Sequence, residues 1–244
     1  MKKSVMLAVV ASMLVSANVA MAGFGVKVPG ASKPAASSSQ QQAAVDVASL
    51  VEQNQPILKY LSFAQAAMNA SLYEVVNAVG NNKDANALME SQQALSKVSN
   101  GSVNQANSVV EKTLKSLDLS KATDAQKEAL KGVMHNCKSY QNLAYSAMGA
   151  AGLKAPGLLK DATAAAKQLT KNPGDLSKVK AVIATCQEAG TKLTKLQGQF
   201  NTLNGKLKGV RDDLGTDKVE ATKADEKQAL ANLEKNINVK CPEL

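Results

Sequence analysis

The chain has 244 residues, with 29 Lys and Arg against 20 Asp and Glu, one His, three Cys, no Trp and a formal net charge of +9. A single histidine excludes a multi-histidine metal site, and three Phe plus four Tyr are too few for a groove that stacks bases or sugars. An apolar share of 45% is that of a folded globular protein, which excludes wholesale disorder.

Residues 1–22 read as a secretory signal peptide. Lys2 and Lys3 give the basic start, and Ala20-Met21-Ala22 is a small-x-small cleavage site. The apolar run from Val5 to Val15 has 11 residues, against the roughly 20 that span a bilayer. The absence of a twin arginine predicts export in the unfolded state, and no Cys follows the cleavage site to take an acyl anchor. The expected location is the bacterial periplasm or the medium. Cleavage leaves 244 − 22 = 222 residues with a charge of (29 − 2) − 20 = +7. Residues 23–42, rich in Gly, Pro, Ala, Ser and Gln, read as a flexible leader, and 43–244 as one helical domain.

From Ala43 to Val79 apolar residues recur at helical spacing, through Pro56, where the helix either kinks or restarts. Gly80-Asn81-Asn82 ends that run. Shorter helices are expected over Asp84–Val98 and Ser102–Leu117, separated by Asn100-Gly101. Thr123 opens the next, with Gln126 three residues on as a capping box. Its stripe of Leu130, Val133, Cys137, Tyr140, Ala144 and Ala147 fades at Gly149–Gly152. A short alanine-rich helix then runs from Pro156-Gly157 to Leu169, and Asn172-Pro173-Gly174 breaks it.

From Leu176 to Leu214 apolar positions alternate by three and four, a heptad seam with one stammer near Leu196. Phe200, Leu203 and Leu207 on that seam are expected in the core. A charged helix over about 218–237 closes the pattern. No stretch alternates as a strand does, and 39 alanines favour helix and close helix packing. The fold class predicted is all-α, an elongated antiparallel helical bundle with a long heptad-patterned helix over about 175–214.

An exported protein tends to oxidise its thiols. Cys137 and Cys186 both lie on apolar stripes. If their helices are antiparallel, with turns near Ala150 and Asp175, the two cysteines stand 13 and 11 residues from the turn. At 1.5 Å per residue their heights differ by about 3 Å. The expected disulfide is therefore Cys137–Cys186, worth roughly 4 kcal/mol by loop entropy. The alternative is Cys186–Cys241, whose midpoint falls near Gly215. Either leaves one cysteine, free or joined to a second molecule in a dimer.

The chemical inventory is short. His135 and Cys137 are two apart and face different directions on a helix, so they form no local ligand pair. Asp212-Asp213 reads as a solvated helix end. GAAGLKAPG lacks the spacing of a phosphate loop. No catalytic, metal or cofactor-binding residue is assigned, and an enzyme is not expected. Arg211 is the only arginine, whereas nucleic-acid readers favour the arginine fork, so nucleic acid is not expected as a partner. A lysine excess suits diffuse attraction to anionic surfaces.

Two local patterns point to partners. LTKLQ (193–197) and ATDAQ (122–126) resemble the L-T-x-x-Q motif of the Spy/CpxP-type periplasmic chaperones, which are basic, helical and exported. The likeness covers ten residues, and ATDAQ lacks the leading Leu. The segment 143–159, LAYSAMGAAGLKAPGLL, carries a single charge and supplies Leu143, Tyr145, Met148, Leu153, Leu158 and Leu159 as candidate contacts to a partner or a membrane surface. The function predicted is a non-enzymatic exported bundle that binds another protein or an anionic envelope polymer. The alternatives are a membrane-active bundle inserting an apolar tip near 143–159, and a small-molecule binder with an interhelical cavity.

Overall fold

The computed structural model describes residues 45–215 and 219–242. Six α-helices run through them: α1 (Val47–Ala78), α2 (Asn82–Ala94), α3 (Asn100–Ser116), α4 (Asp124–Gln168), α5 (Pro173–Asp213) and α6 (Lys223–Ile237). No strand occurs among the described residues, and the helices pack on one another as an all-α bundle. The signal peptide and leader expected over 1–22 and 23–42 lie outside the described residues.

Helix α1 stands at the centre. Every residue from Tyr60 to Leu72 is buried: most are apolar or small, and Gln65 and Asn69 are held by a hydrogen bond to each other. Ala64, Ala66, Ala67 and Ala70 let neighbours approach closely, and α1 touches all five other helices. Pro56 sits within α1 without ending it. Gly80, at φ +75°, turns the chain out of α1, and Asn81 caps α2 by accepting from the Asp84 N–H.

The cap predicted at Thr123 forms as a capping box: its side chain accepts from the Gln126 N–H, and Gln126 accepts from the Thr123 N–H at 2.9 Å. Asn100-Gly101, expected as a break, instead lies in the first turn of α3. Ser99 and Ser102 cap that helix, and Val98, at φ 45°, makes the turn before it.

The larger departure is α4. It runs 45 residues without interruption through Gly149, Gly152 and Pro156, where the sequence predicts two helices. The buried stripe continues across that stretch as Ala147, Met148, Ala151, Ala155, Leu158, Ala162 and Ala165, so packing holds the helix together. Pro156 faces solvent, and Gly152 stands four residues before it, where the proline ring crowds the carbonyl. The α4–α5 hairpin therefore turns at Leu169–Asn172.

The two arms of the hairpin are antiparallel. Lys127 pairs with Asp213 at 2.7 Å, and Tyr145 meets Phe200 edge to face with centroids 5.7 Å apart. The predicted core positions on α5 are buried: Phe200 and Leu203 are 1% exposed and Leu207 is 3% exposed. Toward the start of α5, Val179, Val182, Cys186 and Ala189 are buried. Beside this stripe Thr185, Lys192 and Gln199 are also buried, seven residues apart. They face α3, which runs parallel to α5. Asn100 Nδ2 donates to Thr185 at 3.0 Å, Lys192 donates to Asn100 Oδ1 at 2.6 Å, and Gln199 donates to Asn107 at 3.0 Å. The bundle thus joins α3 to α5 by buried polar contacts, while α4 and α5 meet through the Tyr145–Phe200 ring pair and the Lys127–Asp213 ion pair.

Candidate functional site

All three cysteines are free thiols, and neither expected disulfide forms. The reason is register. With the hairpin turning past Gln168, Cys137 lies across from Asn204, Leu207 and Arg211 of α5, about twenty residues beyond Cys186. At 1.5 Å per residue that is roughly 30 Å. The Cys186–Cys241 alternative needs α6 to fold back along α5. Helix α6 packs on α4 instead, where Glu226 accepts from Asn142 at 2.6 Å.

The Cys137 thiol donates to the Ser71 carbonyl at 3.4 Å. Burial pushes its pKa up to about 12, and that of Cys186 up to about 11. Cys241, which is half-buried, is pushed up to about 12 by burial and by the Glu234 carboxylate. A thiol held protonated in this way is a poor nucleophile.

The 143–159 segment is the middle of α4 and not a hairpin tip. Leu143, Met148 and Leu158 are buried, Tyr145 packs on Phe200, and Leu159 is half-buried. Of the six candidate contacts only Leu153 is open to solvent, at 71%. Among the described residues no helix is long and apolar enough to cross a membrane.

The two motif copies have different settings. Thr123 and Gln126 form the cap of α4, and Gln126 also donates to the Val79 carbonyl at 2.7 Å, tying α4 to the end of α1. Thr194 lies inside α5 and donates to the Gly190 carbonyl at 3.0 Å. His135 is exposed while Cys137 is buried, as their spacing requires. Asp213 of the Asp212-Asp213 pair is engaged by Lys127.

The feature that sequence reading missed is a concentration of charge. Over residues 151–182, from the middle of α4 through the hairpin turn into α5, Lys154, Lys160, Lys167, Lys171, Lys178 and Lys180 are all exposed, against Asp161 and Asp175. Six cations against two anions put +4 of the chain's +9 on this stretch. Lys178 pairs with Asp175 at 3.1 Å, and no other ion pair involves these lysines among the described residues. A charge count by segment could have found this cluster. A break placed at Gly149–Gly157 leaves Lys154 in a connection and sets Lys160 and Lys167 on a separate short helix, which hides it. With the geometry established, comparison adds no relatives: no family model, curated protein or solved structure matches the chain.

Proposed function

We propose that this protein is an exported, non-enzymatic helical bundle of the bacterial periplasm or medium that binds an anionic envelope polymer through the lysine-rich end of its α4–α5 hairpin. The observation that carries this reading is the set of six exposed lysines spread over the half of the hairpin that carries the turn, only one of them in an ion pair among the described residues. Two packed helices hold those charges in place, so little order is lost when a polyanion settles on them. Lysine is a compact, strongly hydrated charge suited to a flexible, irregular polyanion, whereas arginine's fork suits a fixed planar partner. The basic signal sequence and small-residue exit of residues 1–22 support delivery to the envelope.

The test is retention of the mature protein on an immobilised polyanion, with lipopolysaccharide and polyphosphate as probes, across a salt gradient. Binding should weaken steeply with salt, and Lys160→Glu/Lys167→Glu/Lys171→Glu should elute far earlier than the parent. Co-elution of the variant with the parent, or retention that salt does not change, would overturn the reading. The same result together with capture of one envelope protein would instead favour a protein partner.

A further inference from the structure

A cleft of about 180 Å³ lies between α4 and α5, on the part of the bundle away from the hairpin turn. Residues at helical spacing on both arms line it, Met134, Cys137, Lys138 and Gln141 from α4 and Asn204, Leu207 and Arg211 from α5, together with Val219 from the connection to α6. The antiparallel register sets Gln141 level with Asn204, and Lys138 level with Leu207. The floor is apolar, because Met134, Cys137 and Leu207 are each at most 6% exposed. The walls are cationic and amide. Arg211 and Lys138 are half-buried and meet no carboxylate within ion-pair reach among the described residues. Lys138 has only a long contact, 3.5 Å, to the Gln141 carbonyl oxygen. Gln141 in turn donates to the Tyr145 hydroxyl at 2.9 Å. Glu74 of α1 neighbours Cys137 but does not line the cleft.

We infer that this cleft is a binding site for a small oxyanion, a short carboxylate or a phosphate monoester, held by the Arg211 fork and the Lys138 ammonium. The chain's only arginine stands where two amides and a second cation line one half-open cleft. A fork that can take two oxygens at once is the side chain best matched to such a ligand. The volume is below the roughly 300 Å³ at which pockets for drug-sized molecules begin, so the ligand is small. The apolar floor leaves room for a short carbon chain. This site is separate from the hairpin lysines and does not rest on the polyanion reading.

The experiment is titration of the full mature protein with inorganic phosphate and with succinate at low ionic strength, followed by calorimetry and by the thermal midpoint, with chloride as control. One of the two probes should bind saturably and raise the midpoint, as any ligand selective for the folded state does. Arg211→Gln should weaken that binding at least about tenfold, and Arg211→Lys should recover only part of it. Lys138→Gln serves as the second variant, and matching circular dichroism shows that each one folds. Lys160→Glu/Lys167→Glu/Lys171→Glu should leave phosphate and succinate binding unchanged. Failure of both probes to saturate, or equal binding by parent and Arg211→Gln, would overturn the assignment. A chloride effect equal to that of the probes means general screening and overturns it as well.

Discussion

Cys137 shows how one side chain changes meaning once its neighbours are known. On the sequence it is a disulfide half. In the fold it is a small apolar group that donates to the Ser71 carbonyl and closes the floor of a cleft. Its folded pKa of about 12 against the ordinary 9.0 carries a linkage consequence. Below the ordinary value both states hold the proton, and its contribution to stability is fully present. As pH rises from 9 toward 12 the unfolded chain releases a proton that the folded chain keeps, so stability falls. Denaturant unfolding of the parent and of Cys137→Ala, each measured below and above pH 9, checks this. The parent should lose up to about 1.4 kcal/mol more per pH unit than the variant. Parallel losses would show that the thiol is not sequestered.

At the scale of elements, the continuity of α4 governs the arrangement of the hairpin. Its 45 residues set the register, separate Cys137 from Cys186, bury most of the 143–159 contacts and gather the lysines at the turn. Pro156 is the residue that tests it. Within a helix, proline removes one backbone hydrogen bond and is about 3 kcal/mol less favourable than alanine. Pro156→Ala should therefore raise stability, by about 1–3 kcal/mol if the exposed site relaxes only in part. Thermal unfolding measures it. A neutral or destabilising result would fit a real break at Gly149–Gly157, where proline pre-forms a turn. The polar contacts between α3 and α5 are the other decisive feature. Buried amides and Lys192 fix the pairing by hydrogen bonds where an apolar seam would tolerate slippage.

For the molecule as a whole, the bundle depends on α1. With Tyr60–Leu72 enclosed by the other helices, the domain has a single core, and that core holds polar as well as apolar side chains. Gln65 donates to Asn69, and Asn69 to Ser91, through the interior at 3.1 and 2.7 Å. Such networks favour one arrangement of helices over its neighbours in register. The export proposed above is a prediction for the whole chain. N-terminal sequencing of the protein from its native source should begin at Gly23, with the protein in a soluble envelope or medium fraction. A chain retaining Met1 in a membrane fraction would show that residues 1–22 anchor it.

What the sequence determined by itself rests on local physics. Helical periodicity, the Thr123–Gln126 cap, the Gly80 exit and the apolar spacing that marks Phe200, Leu203 and Leu207 for the core are set within a turn or two, and in the fold the caps form and those three residues are buried. What only the tertiary structure decided depends on residues far apart in the chain. Gly149, Gly152 and Pro156 are helix breakers on local grounds, and the packing of their alanine-rich stripe overrides them. That override extends the first arm of the hairpin by 18 residues, from Ala150 to Gln168. A shift along a helical hairpin changes every pair across it. The cysteine pairing failed for that reason, and the cleft at Arg211 and the lysine cluster at the turn exist only in the register that the packed helices impose.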